Sequence, residues 1–171
     1  MGRSGVITFK GNPMTLQGED LAVGAAAPDF ALHYAEAGIQ TLTLADLKGK
    51  PTLINVVPSL DTPVCAVQTK TFNQELAALG DKANSVTVSR DLPFAQARFC
   101  GAEEIQMRTA SDYQTHEFGE AYGLTIEELK LLTRAVIVLD SDGNVAYKEI
   151  VSEVTDEPDY SSAMASLRML V

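Results

Sequence analysis

Three short runs rich in β-branched residues, separated by segments of helical period, limit what this chain can fold into. They lie at 51–58, 85–89 and 135–139. The first and third lack polar alternation and read as strands buried on both faces, and 85–89, Ser-Val-Thr-Val-Ser, reads as a second core strand. Pro58 ends the first, because proline cannot donate to a ladder. After a turn the period changes: Val64, Val67, Phe72, Leu76 and Leu79 share one predicted helical face, and Gly80 stops the helix. A short helix is expected over 92–100, with Pro93 in its first turn and Gly101 at its end, and another over 115–122.

The rest of the chain fills in around these runs. Residues 6–10 and 14–17 read as an N-terminal β-hairpin about Gly11-Asn12-Pro13. Strands are expected near 26–32, 41–44 and 107–110, with one helical turn over 45–50. Asp140-Ser141-Asp142-Gly143-Asn144 is a hairpin turn returning into 145–151, and Tyr160, Ala163, Met164, Leu167 and Leu170 have helical spacing. Residues 124–132 are open between a short helix, on the capping-box pattern Thr125-x-x-Glu128, and a packed loop. This order implies an α/β fold: one mixed β-sheet flanked by helices on both faces, with an N-terminal β-hairpin. No linker or repeat divides residues 1–171, so a single domain is expected.

Charge restricts the partners. Lys and Arg number 13 against 23 Asp and Glu, a net charge of −10, and no basic cluster offers a footprint for nucleic acid or anionic lipid. No apolar run approaches a membrane span, and the first residues lack the apolar core of a signal peptide, so a cytoplasmic protein is expected. The two cysteines, Cys65 and Cys100, fit neither C-x-x-C nor a zinc-ligand spacing. A zinc site would have to recruit both cysteines and both histidines, His33 and His116, from distant parts of the chain, so no metal is expected.

Cys65 follows a buried strand and a proline turn and starts an amphipathic helix. That is a place where thiolates are stabilised, by free N–H groups and the positive end of the dipole. An ordinary thiol is about 3 % ionised at pH 7, and making it mostly thiolate takes about 3.4 kcal/mol. A helix end supplies about 0.3–2 kcal/mol, so a cation is needed as well. Arg134, immediately before the strand at 135–139, is the candidate. By position alone it also suits a solvated surface residue.

Pro58-Ser59-Leu60-Asp61-Thr62-Pro63-Val64-Cys65 resembles the peroxiredoxin pattern P-x-x-x-T-x-x-C. The segment 91–103 is similar to the one that carries the second cysteine of bacterial thiol peroxidases. Residues 133–140 resemble their arginine-bearing strand, Glu157-Pro158-Asp159-Tyr160 the start of their last helix, and Phe9-Lys10-Gly11-Asn12-Pro13 their hairpin. The resemblance runs from about residue 6 to the C-terminus, in the family's order. It implies a thioredoxin-like fold, a homodimer, and hydroperoxide reduction without metal, flavin or haem. Cys65 would be the peroxidatic and Cys100 the resolving cysteine, joined in an intramolecular disulfide that thioredoxin reopens. Thr62 would hydrogen-bond the peroxide, Arg134 would pair with thiolate and peroxide, and Pro58 would shield the site from water. Glu127-Glu128 departs from the less acidic stretch expected of relatives, in a segment expected to border the substrate entrance.

Three other readings compete. A thiol–disulfide oxidoreductase would normally use the C-x-x-C that is missing here. A redox sensor would share the first chemical step. A binding module would carry inert cysteines.

Overall fold

The computed structural model describes residues 2–171. The chain runs through β1 (Arg3–Phe9), β2 (Asn12–Leu16), β3 (Ala31–Ala35), β4 (Ile39–Thr43), a 3-10 turn (Leu44–Leu47) and β5 (Thr52–Val56). Then follow α1 (Pro63–Ala77), β6 (Asn84–Ser89), α2 (Pro93–Glu103), β7 (Arg108–Ser111) and α3 (Glu117–Ala121). It closes with β8 (Ala135–Leu139), β9 (Val145–Ile150) and α4 (Tyr160–Arg168). β1 and β2 form a separate antiparallel hairpin.

The remaining strands form one mixed sheet in the order β4-β3-β7-β6-β5-β8-β9. β5, β6 and β7 run parallel, and the outer pairings are antiparallel. The sheet divides its side chains by alternation. Leu53, Val136 and Val138 face Phe72 of α1 and Ala163, Met164 and Leu167 of α4. Ile54, Val56, Ile137 and Leu139 face the other way, onto Phe118 and Tyr122 of the α3 region and onto Leu44 and Leu47. Helices therefore cover both faces, as expected from the order of elements.

Two details of the helices differ from the sequence reading, and the segment it left open is decided. The inner face of α1 is Cys65, Gln68, Thr69 and Phe72, while Val67 is 46 % exposed. Periodicity of apolar residues misses this, because Gln68 and Thr69 go inside with their hydrogen bonds met. Gly101 does not end α2, which runs on to Glu103 and closes at Glu104 in the left-handed region (φ 55°). Finally, 124–132 is a packed loop closed by Thr125 pairing with Leu132.

That loop is held by its neighbours rather than by a cap of its own. The Glu128 carboxylate accepts from the Thr15 N–H of β2, and the Thr125 hydroxyl accepts from Arg90 (2.8 Å). Arg90 also meets the buried Asp112 at 3.3 Å, and Asp112 accepts from the first free N–H groups of α3, Phe118 and Gly119. A Cβ at Gly119 would stand 2.4 Å from the Thr125 hydroxyl, so this close approach requires glycine.

Candidate active site

β5 delivers the chain to the site. Its last ladder bond is extended by Val57, whose N–H donates to Val88 (3.0 Å), and Pro58 then ends the strand. Residues 59–62 turn: the Thr62 N–H and hydroxyl both donate to the Ser59 carbonyl, at 3.2 and 2.9 Å. Thr62 is the N-cap of α1 with extended backbone, Pro63 takes the first helical position, and Cys65 falls in the first turn. The N–H groups of Val64 and Cys65 therefore have no intrahelical acceptor. Cys65 is fully buried.

Strand register brings the cation. β8 lies antiparallel to β5 with Ala135 opposite Val56, so Arg134 stands just past the end of β5, beside the Pro58 turn. Its guanidinium is buried, with residue exposure of 3 %, which excludes a solvated surface arginine. Nη2 donates to Cys65 Sγ (3.3 Å), Nη1 to Gln68 Oε1 (2.8 Å) and Nε to the Val154 carbonyl (2.8 Å). No carboxylate pairs with it among the described residues. A buried cation needs a counter-charge or a full set of acceptors. The only ionisable acceptor among those three is the Cys65 sulfur.

Behind this contact lies a buried polar network that the sequence reading missed. Gln68 donates to Asn55 Oδ1, and Asn55 Nδ2 donates to the hydroxyls of Thr69 (3.2 Å) and Thr87 (3.0 Å). The Thr69 hydroxyl donates in turn to the Cys65 carbonyl (2.9 Å). An asparagine inside a wholly buried strand was the available signal, since such a group must find partners.

A cavity of about 270 Å³ opens onto Arg134 and Thr62. Its walls are mostly apolar: Phe9, Pro58, Pro63, Val64 and Val154, with Lys10 and Thr155. The hairpin tip and the 154–155 loop thus form the entrance, a role nothing in their own sequence signalled. The 124–132 segment does not line this cavity. Glu127 instead borders a hollow beside Gly2, Gln17, Gly18 and Glu120.

Pro58, Thr62, Cys65 and Arg134 come together, while Cys100 stands apart. Both cysteines are free thiols. Cys100 lies half-buried on α2, packs against the cluster containing Phe72 and Met107, and donates to the Thr109 hydroxyl (3.6 Å). Burial pushes its thiol above the ordinary value, partly offset by the bond to Thr109. Its neighbour Phe99 packs instead on Val57, Leu60 and Cys65. His33 is buried against Tyr113. Among the described residues no three His, Cys, Asp or Glu side chains gather as metal ligands would.

A free cysteine in the first helical turn after β5, faced by a buried arginine, defines a thiol-redox protein on a thioredoxin-like sheet. Residues 22–164 match the Redoxin family. The thiol peroxidase of Bacillus subtilis (strain 168) is 51 % identical over 96 % of this chain and 98 % of its own. A peroxiredoxin-like protein from Aquifex aeolicus superposes with a TM-score of 0.89 at 39 % identity, covering 99 % of this chain and 98 % of its own. The thiol peroxidase of Chromobacterium violaceum, at 18 % identity, shares the fold with a TM-score of 0.83 over 95 % of each chain. The chain belongs to the Redoxin family, among its thiol peroxidases.

Proposed function

We propose that this peroxidase works through Cys65 as peroxidatic nucleophile and Cys100 as resolving thiol, with thioredoxin as reductant. The observation that carries the reading is the buried Arg134, which has no carboxylate partner and aims one N–H at Cys65 Sγ. A Cys65 thiolate supplies the missing counter-charge.

The thiolate attacks the distal oxygen of a hydroperoxide. An S–O bond forms, the O–O bond breaks, and the leaving alkoxide or hydroxide takes a proton to become alcohol or water. Charge moves along the S–O–O axis, where the Arg134 N–H groups and the free helix N–H groups stabilise it. The Thr62 hydroxyl proton is committed to the Ser59 carbonyl, so its oxygen lone pairs accept from the peroxide O–H. Pro58 and the apolar wall keep water out. Cys100 then attacks the Cys65 sulfenic acid, giving the intramolecular disulfide and water, and a thioredoxin dithiol reopens that bond by exchange. The working unit in this reading is a cytoplasmic homodimer.

Peroxide consumption with thioredoxin and its reductase tests this. Cys65→Ser should be inactive, because a serine hydroxyl is not ionised at neutral pH. Cys100→Ser should consume one equivalent of peroxide and stall as the sulfenic acid, which a second equivalent converts to sulfinic acid, both visible by intact mass. Substantial activity in the first variant, or normal thioredoxin-linked turnover in the second, would overturn the assignment.

A further inference from the structure

Cys65 and Cys100 are carried by different segments: the 58–64 turn leads into Cys65 in the first turn of α1, and Cys100 lies on α2. A disulfide needs Cα atoms within about 7 Å. The two thiols here sit in different packing clusters with different partners.

A relay of hydrogen bonds centred on Asp91 joins the two segments. Asp91, in the link from β6 to α2, accepts at Oδ1 from the Ser59 hydroxyl (2.7 Å). At Oδ2 it accepts from the Leu60 N–H (2.8 Å) and the Ser89 hydroxyl (2.7 Å). The Ser89 oxygen accepts in turn from Gln96 Nε2 (3.0 Å), which also donates to the Ala110 carbonyl of β7 (3.0 Å). Gln96 is fully buried on α2, one helical turn before Cys100. A continuous path of hydrogen bonds therefore joins the turn before Cys65 to the middle of the helix bearing Cys100. None of its members bonds to Arg134 or to either sulfur.

We propose that Asp91 is a clamp between the peroxidatic turn and the resolving helix, and that its release sets how the Cys65 sulfenic acid is partitioned. This rests on the cysteine roles given above. Two reactions compete for that acid. With the Cys100 thiol it forms the disulfide and water, which requires both segments to loosen. With a second hydroperoxide it becomes sulfinic acid, releasing alcohol or water, which requires only the ordered pocket. A firm clamp favours the second reaction and a loose one favours the first.

Asp91→Asn keeps the shape but turns one acceptor into a donor facing donors. Rapid mixing with peroxide, followed by intact mass, reads both steps. The expected result is disulfide formation faster by about fivefold, the scale of one weakened charge-assisted hydrogen bond, with peroxide reaction within about twofold of wild type. The sulfinic fraction under excess peroxide should fall accordingly. Ser59→Ala, which removes one arm of the clamp, should shift the same two readouts less far and serves if Asp91→Asn does not fold. Unchanged disulfide rate and sulfinic fraction, or a parallel loss of both rates, would overturn the clamp. Wild-type protein that never forms a Cys65–Cys100 disulfide would instead overturn the cysteine roles.

Discussion

Arg134 spends all three of its guanidinium nitrogens on neighbours: Cys65 Sγ, Gln68 Oε1 and the Val154 carbonyl. Its replacement by alanine should slow reaction with peroxide about 10²–10³-fold, the scale of losing a transition-state donor. Arg134→Lys should recover only part, since one ammonium cannot serve three acceptors in a plane. Single-turnover rates with peroxide in the three proteins check this; coincident rates would return Arg134 to a structural role. Gln68→Leu should act one step further back. It strands the Arg134 Nη1 donor and the Asn55 acceptor, costing about 1–3 kcal/mol of stability, with peroxide reaction slowed about tenfold as the fork loosens. Urea unfolding and the same rate measurement separate the two effects.

At the level of elements, the β1–β2 hairpin is tied to the site through Glu153. Its carboxylate accepts from the Thr8 hydroxyl, from the Lys10 and Gly11 N–H groups at the hairpin tip, and from Thr155. Beside it, the Val154 N–H donates to the Thr8 carbonyl while the Val154 carbonyl receives Arg134 Nε. Those bonds, chiefly from the Thr155 and Gly11 N–H groups, pull the Glu153 carboxyl down from 4.5 to about 2. A lowered folded-state value means the charged form stabilises the fold. That contribution is complete above pH 4.5 and is lost as pH falls from 4.5 toward 2. Glu153→Gln should therefore lower the urea midpoint at pH 6, with the gap to wild type closing as pH approaches 2. A gap that stays constant with pH would show that the carboxylate charge does not hold the hairpin.

For the whole molecule, oxidation should loosen two segments and leave the sheet alone. Hydrogen exchange on the oxidised protein should lose protection over 62–70 and 92–101 and keep it in β5, β6 and β8; equal protection in both redox forms would show that the thiols meet without unfolding. Closing the 34 residues between the cysteines stabilises by roughly 3–4 kcal/mol in the entropic account, and lost helix packing offsets part of that. Much of this architecture is legible in the chain alone. The runs at 51–58, 85–89 and 135–139 are too short and too β-branched for anything but buried strands, and Pro58 and Pro63 mark where strand gives way to helix. Local chemistry of this kind also puts Cys65 at a helix start. It does not reveal that Gln68 and Thr69 turn inward, because a polar residue looks exposed until its partners, Asn55 and Arg134, arrive from other strands. Nor does it show the hairpin tip beside the cavity, or Asp91 joining the 59–60 turn to α2 by way of Ser89 and Gln96. Arg134 shows the division most clearly. Its place in the sequence suits an exposed residue, and only the pairing of Ala135 with Val56 carries it, buried, to the sulfur. Short-range propensity sets the elements, whereas the register between strands far apart in the chain decides which side chains meet.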